Sequence, residues 1–135
     1  MPPSLDSVCD YRIDAEHGVA LVRLVGMVSG HAIAACAQRL RQDPELKPAY
    51  DVIWDERQVR TLDVTPEGLS LMVDAQTDGQ YGKDVILSAR ESREMIQKLY
   101  ARLVRMRGRP ATVCETLEEA LEAVGLDALP ESLRW

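Results

Sequence analysis

The sequence predicts an α/β domain whose sheet is mainly parallel, and three observations carry that expectation. Short apolar runs alternate along the chain with segments of helical periodicity. The first two runs are joined by only four residues, so they pair as an antiparallel hairpin. Most later runs are separated by a helix-length stretch, the spacing of a parallel crossover with helices packed on the sheet. A chain of 135 residues is one domain by length and long enough to bury a core without staples. Phe is absent, so Leu, Val, Ile, Met and Ala must build that core.

The elements follow in order. Residues 1–7 read as a loose tail, 8–126 as the domain and 127–135 as a C-terminal tail, packed through Leu129, Leu133 and Trp135. Cys9 to Asp14 is the first strand, and the turn at 15–18 ends in Gly18, free to take positive φ. Val19 to Val25 is apolar but for Arg23, which suggests an interior strand, and Gly26 is expected to end it. Ser29 caps a helix from about Gly30 to Gln42, with Ile33, Cys36, Ala37 and Leu40 on one face. Asp43-Pro44 stops it. Asp51 to Asp55 is the third strand, expected to end abruptly at Asp55 and to open a polar loop over 55–68.

Thr65 is an N-cap with Pro66 at the first helical position. That helix turns Leu69, Met72 and Val73 inward and gives way at Asp78-Gly79. Asp84 to Ala89 is the fourth strand. Ser92 opens the longest helix, which runs to about Arg107 with Met95, Ile96, Leu99, Tyr100, Leu103 and Val104 as an apolar stripe. Gly108 closes it. Pro110 to Cys114 is the fifth strand. Thr116-Leu117-Glu118-Glu119 is a capping box for the last helix, closed by Gly125. Trp54, Met72 and Tyr100 are expected in the core, where they could also line a pocket.

Composition narrows the function. A net charge of −6 argues against general nucleic-acid binding, which needs cations to neutralise phosphates. No apolar run approaches the roughly 18 residues that span a bilayer, and the first residues do not form a signal peptide. Cys9, Cys36 and Cys114 are odd in number and far apart. No disulfide framework is expected from them, and a reducing cytoplasm is the simplest compartment. Cys36 and Cys114 read as small core hydrophobes.

Candidate site residues cluster around the 55–68 loop, because ligands of open α/β sheets collect at strand carboxyl ends and helix starts. They are Asp55, Arg57, Asp63 and Thr65, with His31 in the first turn of the first helix as an acid/base group. Asp55 and Asp63 are expected to accept backbone N–H groups in the loop. Asp55 with Ser88 resembles the acceptor and reader of a phosphate-receiving receiver domain. The hairpin start, and Cys114-Glu115 where such a domain needs Lys, oppose that reading. His17 and His31 have no second His or Cys at ligand spacing, so no metal is expected, nor any cofactor. Lys98, Arg102, Arg105 and Arg109 recur along one helical face. They can meet an acidic partner, an anionic ligand or a membrane surface, or pair with Glu118, Glu119 and Glu122 within the chain or across a dimer.

Tyr11, the glycine at 26 after the hairpin, Asp55 closing the third strand and the L-E-E-A-L-E run near the end together resemble the STAS fold, and within it the SpoIIAA-like group. The resemblance covers about Cys9 to Leu126. It implies a non-enzymatic regulatory or binding module for a protein partner or a small, partly apolar or lipid ligand. In STAS proteins that antagonise anti-sigma factors, the third strand leads to D-S-[ST]-G, and the Ser is phosphorylated. Here Asp63 matches the Asp, Val64 stands at the Ser, and Pro66 stands at the Gly. A phosphate switch would therefore have to move to Thr65 or Thr61, the loop's only hydroxyls. A small enzyme working through Asp55, Asp63 or His31 is the remaining alternative, and a homodimer fits any of these readings.

Overall fold

The computed structural model describes residues 7–77, 82–88 and 94–135. Five strands form one sheet in the order β1-β2-β3-β4-β5: β1 (Ser7–Asp14), β2 (Val19–Ser29), β3 (Asp51–Asp63), β4 (Asp84–Leu87) and β5 (Ala111–Cys114). β1 is antiparallel to β2, and every later pair is parallel. The helices are α1 (Gly30–Gln42), α2 (Pro66–Thr77), α3 (Glu94–Met106) and α4 (Leu117–Ala123), followed by a short 3-10 turn at Glu131–Leu133. The expected element order is the observed one. The predicted helix end at Asp78-Gly79 and the predicted cap at Ser92 lie outside the described residues. Among the described residues α3 spans 13, as α1 does.

Crossovers of one hand that step steadily across a sheet must stay on one face. Accordingly α1, α2 and α3 pack on a single face, over a core that includes Val22, Leu24, Val52, Trp54, Ile86, Tyr100 and Val104. The other face carries α4 and the C-terminal turn, over Val19, Leu21, Ile53, Val85, Leu87 and Leu133. Leu133 is fully buried there. The guanidiniums of Arg12 and Arg23 each lie 4.8 Å from the centroid of the Trp135 ring. Because α3 and α4 sit on opposite faces, Glu118, Glu119 and Glu122 do not meet the basic row of α3 within the chain.

Two expectations about strands are corrected. Gly26 does not end β2. It has φ of 85°, stays paired with Val59 and sits at one of two register shifts between β2 and β3. From Arg23 to Met27, β2 advances four residues while β3 advances six, from Asp55 to Thr61. Each extra residue on β3 is a bulge, which breaks the two-residue alternation by which a strand is recognised. β3 therefore reads as a loop after Asp55 but runs on to Asp63.

The cysteine expectation is also corrected. Cys9 on β1 and Cys36 on α1 form a disulfide, with Cα atoms 6.4 Å apart, while Cys114 is free and buried. Cys36 is therefore a crosslink and not only a small hydrophobe, and the cysteines no longer argue for a reducing compartment. The same seam is tied by Arg39, which donates to the Cys9 carbonyl at 2.9 Å, and by the Tyr11 hydroxyl, which donates to Asp43 at 2.9 Å. Among the described residues, no helix is long and apolar enough to cross a membrane.

Candidate functional site

β2 and β3 finish in register, with Ser29 opposite Asp63. Each then runs into a helix. Ser29 Oγ accepts the Ala32 N–H at 3.1 Å and caps α1. Thr65 Oγ1 accepts the Gly68 N–H at 3.0 Å and caps α2. Parallel strands that end together start their helices side by side, and two glycines let the starts touch. A Cβ on Gly30 would stand 3.2 Å from the Gly68 carbonyl carbon and from Met72 Sδ. A Cβ on Gly68 would stand 3.3 Å from both His31 Nδ1 and Thr65 Oγ1.

The result is a ledge on which His31, Asp63 and Thr65 are all exposed. Both helix dipoles point their positive ends at it. Among the described residues, no hydrogen bond joins the three side chains, so no proton relay is set up between them. Among the described residues, Asp63 does not accept the backbone N–H expected of it either. Val64, at the position of the resembled family's phosphorylated Ser, is half-buried against the core.

Asp55 and Arg57 do not belong to this ledge. Asp55 pairs in register with Leu87 and faces the side of the sheet that α4 covers. It is buried and accepts from the Arg57 N–H at 3.1 Å, from Nε at 3.0 Å and from Nη2 at 2.9 Å. The backbone bond expected of Asp55 is thus present. The hydrogen bond to Asp55 raises the Arg57 pKa, burial opposes it, and the charges of Asp55 and Glu118 add to the rise. Both Asp55 oxygens are engaged by this bidentate partner. Ser88 is buried, and its N–H donates to the Cys114 carbonyl at 2.9 Å. The predicted site thus separates into His31, Asp63 and Thr65 at the starts of α1 and α2, and Asp55 with Arg57 earlier on β3, on the face that α4 covers.

Beneath the ledge, Trp54, Leu62, Val64, Met72, Ile86 and Tyr100 help to line a cavity of about 20 Å³. That holds a water-sized group, far below the roughly 300 Å³ of an ordinary ligand site. At its edge the buried Gln97 amide donates to Glu56 at 3.0 Å. Deeper, the Tyr100 hydroxyl donates to Asp84, which is wholly buried. Burial pushes the Asp84 carboxyl up; the charges of Arg109 and Arg41 and the bond from Tyr100 only partly offset it. Arg109 is buried and donates to the Gln76 carbonyl at 2.9 Å and to the Gly82 carbonyl at 3.0 Å. It is therefore not part of the exposed basic row expected of it. Sequence reasoning missed this polar core because Asp84, Arg109 and Gln76 are far apart in the chain and ordinary surface types.

Asp14, Glu16 and His17 bring potential ligand atoms within 4.8 Å of one another at the hairpin turn. The Asp14 carboxylate is already used: it accepts from the His17 N–H at 3.0 Å, the His17 ring at 2.9 Å and the Ser132 hydroxyl at 2.8 Å. Burial pushes this carboxyl up, but those bonds outweigh it and hold it at about 2.

No family model matches the chain, and no curated protein matches it. Among solved structures, the chain is similar to the crystal structure of an anti-sigma factor antagonist from Mycobacterium paratuberculosis. The identity is 18%, the TM-score 0.52, and the match covers 92% of this chain and 97% of that one. At that identity the likeness establishes the fold: a five-stranded α/β sheet of STAS-like type, as the sequence resemblance implied.

Proposed function

We propose that the protein is a non-enzymatic regulatory module that binds a protein partner at the ledge formed by the starts of α1 and α2. The observation that carries this reading is the register of Ser29 with Asp63, which sets two helix N-termini, His31, Asp63 and Thr65 into one exposed surface. The likeness in fold to an anti-sigma factor antagonist supports the class of function. The small size of the cavity favours a surface partner over an enclosed ligand. Thr65 spends its hydroxyl on the α2 cap, so nothing in the geometry favours a phosphate switch over plain docking.

The test is crosslinked capture from cells that make the protein, comparing wild type with a His31→Ala, Asp63→Ala, Thr65→Ala triple variant and with Arg57→Ala. The expected result is one stoichiometric partner that the triple variant loses and Arg57→Ala keeps. A partner retained by the triple variant, or no partner at all, overturns the reading. A mass increment of one phosphate on Thr65 that survives denaturation would restore the switch in its place.

A further inference from the structure

We propose that the open side of α3, with the groove between α2 and α3, docks an acidic amphipathic helix of a protein partner. The proposal rests on the reading of this protein as a binding module but concerns a surface that adjoins the ledge only at Pro66, the first residue of α2. At 100° per residue, α3 divides into three faces. Gln97, Tyr100, Ala101 and Val104 are buried against the sheet. Met95 (85% exposed), Leu99 (44%) and Met106 (74%) form a second row open to solvent. Lys98, Arg102 and Arg105 form a third, exposed row beside it. The predicted single stripe is thus two apolar rows, and only one of them is covered.

Next to the open row runs a groove of about 470 Å³, lined by Pro66, Leu69 and Val73 of α2 and by Leu103 and Met106 of α3. Arg107 bounds one end of it, pairing with Asp74 and donating to Thr77 Oγ1 at 3.2 Å. An apolar groove between two helices, with an adaptable methionine on its rim, is the geometry that takes a helix by its apolar face. From Met95 to Met106 the open row extends about 16 Å, or three helical turns.

Charge selects the occupant. The chain carries a net charge of −6, yet the row beside the methionines is basic. Among the described residues, Arg102 makes no hydrogen bond or ion pair, and Arg105 uses only Nη1, on the Ala111 carbonyl at 2.9 Å. Acidic side chains flanking a docked helix would meet both. A second copy fits less well: its acidic α4 lies on the opposite face, so the contact would propagate instead of closing.

The experiment measures fluorescence anisotropy of a synthetic helical peptide about four turns long, with Leu and Ile on one face and Glu on its flanks. A second peptide carries Lys in place of Glu. Saturable binding of the acidic peptide is expected, weakened about tenfold or more by Leu99→Glu, by Met106→Glu and by Arg102→Glu, with no binding of the basic peptide. All three positions are exposed, so circular dichroism and melting should match wild type. The ledge variant His31→Ala, Asp63→Ala, which leaves the α2 cap in place, should bind the peptide unchanged, which keeps failure of the two proposals distinguishable. No binding of the acidic peptide, equal binding of the basic one, or three variants that bind like wild type would each overturn the proposal. So would a wild-type dimer split by Leu99→Glu, or anionic phospholipid vesicles bound in place of the peptide.

Discussion

Asp84 illustrates how far a side chain's position overrides its type. It opens β4, and nothing in D-V-I-L distinguishes it from an ordinary strand-entry Asp on the surface. The fold places α3 over it, so its carboxyl is wholly buried, bonded by Tyr100 and raised in pKa by that burial. In the unfolded chain it ionises near the ordinary 3.8, but in the folded chain only at higher pH. Its contribution to stability is therefore fully present below that ordinary value and is lost as pH rises through the folded one. Asp84→Asn keeps an acceptor for Tyr100 and removes the charge. The expected outcome is a flatter stability-against-pH curve above about pH 4, read by urea melts at several pH values. An unchanged curve would mean that Asp84 is ionised without penalty in the folded protein. Asp55 makes the complementary point. The sequence puts it at a strand end, but β3 runs on to Asp63, and the two-residue period of that continued strand brings its partner Arg57 onto the same face.

Among the elements, the β2–β3 ribbon decides what the site is. Ser29 and Thr65 were legible as helix caps, and α1 starts and stops where capping chemistry says it should. What could not be read was that β2 and β3 continue past Gly26 and Asp55 to finish together, because two bulges scramble the alternation. The closeness of α1 to α2 then depends on Gly30 and Gly68. A methyl at Gly30 meets Gly68 backbone at 3.2 Å, and backbone yields less readily than a side chain. Gly30→Ala should therefore separate the helix starts and destabilise the fold by about 1–3 kcal/mol, measured as a fall in urea midpoint with unchanged slope. An alanine variant as stable as wild type would show that the helices are not held at this distance.

For the whole molecule, the sheet order and the crosslink between β1 and α1 set the architecture. β1 is an edge strand, and edges are the weak margin of a sheet. The bond between Cys9 and Cys36, 27 residues apart, closes a loop around the hairpin and α1. Loop-closure entropy makes such a bond worth about 3–4 kcal/mol. Thiol titration in denaturant without reductant should count one thiol per chain, from Cys114, and three after reduction. The reduced protein should melt lower. Three thiols before reduction would mean that the bond is not formed.

Local chemistry settled the class of fold, the order of its elements and the helix caps, since periodicity, caps and turn glycines act within a few residues of one another. Tertiary structure alone settled the length of β3, the pairing of Cys9 with Cys36, the burial of Asp84 and Arg109, and which apolar row of α3 is left uncovered. Each of these joins groups distant in the chain, and their meeting is fixed by sheet register and by which face a crossover takes. The division of the candidate site follows the same rule: His31, Asp63 and Thr65 lie at neighbouring helix starts because two strands end in register, while Asp55 and Arg57 lie earlier on β3, on the face that α4 covers.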